Sequence, residues 1–173
     1  MDSIGGGKMT FNIFIQSCIA LMFLVFSTVA SWYEGSKILH LPWEWKYTAI
    51  FSKVVNGPVE KASDILPIDH FVYAAKFAPT FPIIMLLSST YLLILVGYIL
   101  FKHNDKKFSY FLSSIGVLFL VLSGFVSNSP TIGLKYFFTI FLFIGIISIV
   151  IALIRIFQYM TKDQINKGSI NNY

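Results

Sequence analysis

The sequence predicts an all-α polytopic membrane protein with four transmembrane helices, on three observations. The chain is 56% hydrophobic with a mean hydropathy of +0.74. Charged residues make up only 12%, about half the share found in soluble domains. Four apolar runs also reach roughly the 20 residues that a helix needs to cross a hydrocarbon core of about 30 Å. A soluble domain of 173 residues cannot cover so much apolar surface with so few charges, so lipid is expected as the solvent for much of it.

The 173 residues read as a single membrane domain, with spans at about 11–32, 80–101, 108–127 and 132–158 and an outer segment at about 33–79. In the first run only Asn12 and Gln16 are strongly polar. The second and third runs carry no charge between Phe81 and Phe101 or between Phe108 and Val126. In the fourth, Lys135 and Arg155 sit near the ends, where long side chains can snorkel. Backbone groups in lipid must be paired internally, so these runs are helices; strands would need a closed barrel and alternating polarity.

Lysine placement orients the spans. Lys8 precedes the first, Lys102, Lys106 and Lys107 fill the link after the second, and the C-terminal tail region holds Arg155, Lys162 and Lys167. The short link near 127–134 has only Lys135 beside it, and the lysines of the 31–80 link are matched by as many acids. Lysine excess in short loops marks the cytoplasmic side, so both termini are expected inside and the 31–80 segment outside, in a multi-pass plasma-membrane protein. The rival reading of the first run is a signal peptide, because Thr28-Val29-Ala30 resembles a small-residue cleavage site. The run exceeds the usual h-region length and only one lysine precedes it, so a retained helix is expected.

The outer segment is rich in aromatic residues, including Trp32, Trp43 and Trp45, and is expected to be ordered. From Pro42 to Pro58 it reads as a helix. Pro42 suits the first helical position, Glu44 the first turn, and Asn56-Gly57-Pro58 a stop. Trp43, Tyr47, Ile50, Phe51, Val54 and Val55 then form one apolar face. A strand reading also exists, because Trp43, Trp45, Tyr47, Ala49 and Phe51 alternate, but the alternation breaks at Ile50 and at Val54-Val55. A second short helix is expected from Pro67 to about Ala78, with Asp69 in its first turn. Trp43, Trp45, Tyr47 and Phe51 are the candidate partner or interface contacts.

The blocks Ser31-Trp32-Tyr33-Glu34-Gly35-Ser36, Pro42-Trp43-Glu44-Trp45-Lys46-Tyr47 and Phe71-Val72-Tyr73-Ala74-Ala75-Lys76-Phe77 resemble a family of small, uncharacterised integral-membrane proteins from spore-forming Gram-positive bacteria. The resemblance covers roughly the first 100 residues and implies a bacterial plasma membrane, with no chemistry attached. The layout is similar in topology alone to claudin-like proteins, whose paired loop cysteines have no counterpart here; Cys18 is the single cysteine and lies in the first span.

No catalytic residue, metal ligand or cofactor is predicted. His40, His70 and His103 show no HxxxH or HExxH spacing. Adjacent residues such as Asp69 and His70 point about 100° apart on a helix, which argues against an acid–base pair. No GxSxG elbow occurs, and Gly5-Gly6-Gly7-Lys8 lacks the spacing of a phosphate loop and reads as a flexible tail. The net charge of +5 is spread over loops, so nucleic acid is not expected as a partner. The central turns of the spans carry no ionisable residue, which disfavours a coupled transporter acting alone.

In the third span Ser109, Ser113, Gly116, Leu120, Ser123 and Ser127 recur at alternating spacings of four and three, and all but Leu120 are small. Such a seam lets helix backbones approach in lipid. It serves either a dimer or partner contact or packing within this chain, against Ser88-Ser89-Thr90 with Gly97, or against Gly145 and Ser148. The function expected is therefore that of a small, non-enzymatic membrane protein acting as a partner-binding or accessory component of the cell envelope. Its expected partners are the lipid bilayer and another membrane protein or a second copy of itself. The alternatives are a transporter or channel subunit, and a membrane enzyme acting at the outer surface.

Overall fold

The computed structural model describes the backbone of residues 3–170 and the side chains of residues 11–162. Among these residues every regular element is helical. Seven α-helices follow one another: α1 (Ser3–Gly35), α2 (Pro42–Thr48), α3 (Ile50–Asn56), α4 (Pro67–Phe77), α5 (Thr80–Phe101), α6 (Asp105–Val126) and α7 (Ile132–Ile170). Single 3-10 turns lie at Ser36–His40 and Ala62–Asp64. Helices α1, α5, α6 and α7 are long and apolar enough to cross a membrane. The chain is thus an all-α protein of the polytopic membrane class, with short helices between the first two long ones. The strand reading of residues 43–51 is replaced by α2 and α3.

The N-terminal expectation is corrected as well: α1 begins at Ser3, so the glycine run is helical backbone rather than a free tail. The side chains of Lys8 and Lys167, used above for orientation, lie outside the described side chains.

Two compact units divide the chain. The first joins Met1–Leu92 to Ser129–Phe137, and the second joins Leu93–Asn128 to Phe138–Tyr173. In the first unit α1 packs on α4 through a stripe of small residues. Ser27, Ser31 and Gly35 follow at helical spacing and all are buried. Gly35 is required there, because a Cβ would lie 1.9 Å from the carbonyl oxygen of His70. Gly133 repeats the device, since its Cβ would meet the Ala75 carbonyl at 2.1 Å and so brings the start of α7 against α4. Farther along α1, Phe26 meets Phe81 edge to face at 5.8 Å. The Tyr91 hydroxyl donates to Oε1 of Gln16 at 3.1 Å, giving two polar groups on apolar helices a mutual partner.

In the second unit α6 and α7 pack through glycine. A Cβ on Gly116 would come within 2.6 Å of Ile149 Cγ1 and 2.9 Å of the Gly145 carbonyl. Phe119 and Phe141 adjoin at 5.6 Å, and Phe108, Leu112 and Ala152 form a buried cluster. Asn104 caps α6 by accepting from Lys107 N at 3.0 Å. Arg155 pairs with Asp105 at 3.4 Å and lies over the Phe108 ring.

Candidate functional site

The segment between α1 and α5 is built around a buried carboxylate. Pro42 opens α2 and Glu44 lies in its first turn. The helix does not continue to Pro58 as the sequence suggests: it stops at Thr48, and Ala49 leaves helical geometry at φ −79°, ψ 60° before α3 begins. The first turn of α3 exposes backbone N–H groups that Ala49, lacking a polar side chain, cannot cap. Asp69 of α4 supplies the cap from a distance of 17–18 residues. Its Oδ1 accepts from Phe51 N at 3.0 Å and its Oδ2 from Ser52 N at 2.8 Å and from the Ser52 hydroxyl. The Ser52 hydroxyl in turn accepts from Leu66 N at 2.8 Å. A carboxylate at a helix N-terminus also favours the helix dipole. Asp69 does lie in the first turn of its own helix, but its carboxylate serves α3.

A compact core sits beside this cap, formed by Ile38, Trp45, Ala49, Ile65 and Tyr73. Trp45 Nε1 donates to the Ile38 carbonyl at 2.7 Å. The segment ends in two further locks. Gly57 adopts φ +80°, and Asn56 Nδ2 donates to the Asp64 carbonyl at 2.9 Å. The Asp64 carboxylate accepts from the amides of Lys61 and Glu60, and these bonds hold its pKa below the usual carboxylate value.

The result is inverted polarity. Thr48, Ser52 and Asp69 are fully buried, whereas the apolar face predicted for this stretch points outward. Trp43 is 68% exposed and Tyr47 64%, and Ile50, Phe51, Val54 and Val55 are exposed with them. Of the four candidate contacts Trp43, Tyr47 and Phe51 are therefore exposed. Trp45, at 9% exposure, belongs to the core and is removed from that face.

Beside this face lies an open cleft of about 400 Å³, lined by Glu44, Tyr47, Lys76, Phe77, Ser129, Pro130 and Thr131. Lys76 Nζ donates to the Tyr47 carbonyl at 2.6 Å and to Thr48 Oγ1 at 3.2 Å. Glu44 Oε2 accepts from the Thr48 hydroxyl at 3.2 Å. Partial burial pulls the Lys76 pKa below its usual value, against the opposing pull of Glu44 and Asp69. Sequence reading gave no role to Lys76, Ser129 or Thr131, because they share no motif and the fold alone brings them together.

His70 is buried and stacks on Trp32 at 6.0 Å, with its Nδ1 unpartnered. Ser31 Oγ and Glu34 Oε2 are also buried without a partner. Burial holds the His70 pKa below its usual value, opposed by Asp69. Asp69 and His70 do not form an acid–base pair: the Asp69 oxygens are occupied by α3. Among the described residues no three His, Cys, Asp or Glu side chains gather as metal ligands.

The small-residue seam lies inside the second unit. Ser109, Gly116 and Ser123 are buried, Ser113 is half-buried and Ser127 is exposed. Its facing surface there is Gly145 with the buried Ser148, while Gly97 lies against α6 at the Phe111 ring.

Comparison with known proteins places the chain. No solved structure matches it. The chain is 30% identical over 95 residues to the uncharacterized protein YjdJ of Bacillus subtilis (strain 168), which is 54% of this chain and 87% of that one. Residues 14–101, which contain all three blocks quoted for the resemblance, match the model of a domain of unknown function, DUF4306. The region with the carboxylate-capped helix and the outward aromatic face is thus the family's own domain, and the chain belongs to the DUF4306 family, represented in Gram-positive bacteria.

Proposed function

We propose that this chain is a multi-pass protein of the plasma membrane of a spore-forming Gram-positive bacterium, acting without catalysis as a partner-binding or accessory component of the cell envelope. Both termini lie in the cytoplasm and the α2–α4 segment lies outside, the orientation supported by Lys102, Lys106 and Lys107 in the α5–α6 link. One observation carries the reading: Trp43 and Tyr47 on α2 and Phe51 on α3 are exposed, while Thr48 is buried against Lys76 and Ser52 against Asp69. Large aromatic side chains on a rigid support are the usual anchors of binding surfaces.

The test is extraction of the full chain from native membranes into lipid nanodiscs, followed by mass measurement and peptide identification. A second protein is expected at fixed stoichiometry, and the combined W43A, Y47A and F51A variant is expected to release it. A chain that comes out alone, or a complex indifferent to those three changes, overturns the proposal.

A further inference from the structure

The cleft beside the aromatic face carries a separate inference. Glu44 and Lys76 line the same cavity without an ion pair between them, the Thr48 hydroxyl standing between the two by accepting from Lys76 and donating to Glu44. Two opposite charges kept apart in a partly buried cleft suit a ligand that itself carries both signs. A lone anion would meet the repulsion of Glu44, and a lone cation that of Lys76. The wall opposite α4 is Ser129 and Thr131, whose hydroxyls share a hydrogen bond at 3.1 Å immediately before α7 begins at Ile132. The first turn of a long helix presents unpaired N–H groups and positive partial charge, which favour a phosphate oxygen. A volume of about 400 Å³ lies within the range of small-ligand sites.

Depth decides the source. Phe77 on the rim precedes the start of α5 by three residues, and Thr131 immediately precedes α7. Both are helices long and apolar enough to cross a membrane, so the cleft opens where two spans begin, at the level of headgroups.

We infer that this cleft binds the headgroup of an aminophospholipid, with the phosphate at Lys76, Ser129 and Thr131 and the primary ammonium at Glu44. Phosphatidylethanolamine satisfies both ends. Phosphatidylglycerol offers no cation to Glu44, and the quaternary ammonium of phosphatidylcholine has no N–H to donate. The site adjoins the partner reading of Trp43, Tyr47 and Phe51, with Tyr47 common to both, and the variants that test it leave those three side chains in place.

The experiment is native mass spectrometry of the full-length protein released from nanodiscs of equal phosphatidylethanolamine, phosphatidylglycerol and phosphatidylcholine. Wild type is expected to retain phosphatidylethanolamine in preference to the other two. E44Q, which keeps an acceptor for Thr48, is expected to lose that preference by roughly tenfold, the size of one charge-assisted hydrogen bond. S129A together with T131A is expected to weaken retention of phosphatidylethanolamine while leaving the melting temperature within a few degrees. Displacement of the adduct by soluble phosphoethanolamine assigns recognition to the headgroup alone, and resistance assigns it to the whole lipid. Equal retention of the three lipids by wild type, or a preference unmoved by E44Q, overturns the inference.

Discussion

The α2–α4 segment and the α6–α7 pair both hide polar or small groups and show apolar ones, but they do so by opposite means. In the segment the buried Asp69 and Ser52 are satisfied at long range. Asp69 reaches back 17–18 residues to the amides of Phe51 and Ser52, and Ser52 reaches forward to Leu66. In the pair the hydroxyls are satisfied by their own helix: Ser109 donates to Asp105 O and Ser123 to Leu120 O. What joins α6 to α7 is shape, with Gly116 against Gly145 and Ile149. The first region is thus specified by electrostatic satisfaction and the second by volume. Substitutions that remove a charge or add a methyl group should separate them.

The largest effect is expected from D69A. It leaves the Phe51 and Ser52 amides and the Ser52 hydroxyl without their acceptor in a buried site, at a cost of about 3 kcal/mol. Hydrogen exchange should show α3 losing protection while α6 and α7 keep theirs. D69N retains one acceptor oxygen and should fall between the two. Loss of protection throughout the chain would break the comparison, because the segment would then not be a local unit.

Next in size is G116L. The new side chain must displace Ile149 and the backbone at Gly145, a strain of about 1–3 kcal/mol. Thermal melting in detergent should fall, and exchange should rise in α6 and α7 while α3 stays protected. G35A is the matching test in the first unit, where the obstacle is the His70 carbonyl itself.

A smaller effect follows pH. Burial lowers the His70 pKa in the folded chain below the unfolded value near 6.5. The unfolded chain therefore binds its proton first as pH falls, and the folded state loses stability from about 6.5 down to the folded pKa. Protection of α4 should be full above that window and decline through it. Asp69 is the charged group that acts on this ring, and His70→Gln should flatten the profile if the imidazole is the titrating group.

Helical periodicity made most of this architecture legible. Apolar length gave the long helices, Pro67 the start of α4, and Pro42 and the Asn56-Gly57-Pro58 stop the start of α2 and the end of α3, but not the break at Ala49 between them. The residues that periodicity grouped over 43–55 are all exposed, and a 3.6-residue repeat does not say which side is the protein's interior. Asp69 supplies that direction by drawing Ser52 inward, with Lys76 holding Thr48, and bonds across 17–28 residues leave no local signature. Trp45 shows the same limit. It alternates with Trp43 and Tyr47 in the sequence, yet its indole N–H is spent on Ile38 O in the core. The cleft was the least legible feature, since Ser129 and Thr131 lie more than fifty residues from Lys76 and meet it only because Gly133 allows α7 to approach α4.

The smallest effect is expected from S123A, and it is the sharpest probe of the contrast. Ser123 is buried, and in a soluble core the loss of a buried hydroxyl's partner ordinarily costs about 1 kcal/mol or more. Here the hydroxyl donates to the Leu120 carbonyl at 2.7 Å, an acceptor already serving the helix backbone. Removing it leaves no donor stranded and no neighbour unpaired, and the alanine methyl keeps the surface small. The change in stability should lie within about 0.5 kcal/mol. S52A removes a single hydroxyl too, but one that both donates to Asp69 and accepts from Leu66 N, so it should cost several times as much. Steric-trapping or melting measurements on the two variants compare one atom in each region. Equal losses would mean that the seam, like the α2–α4 segment, depends on its hydroxyl bonds rather than on its shape.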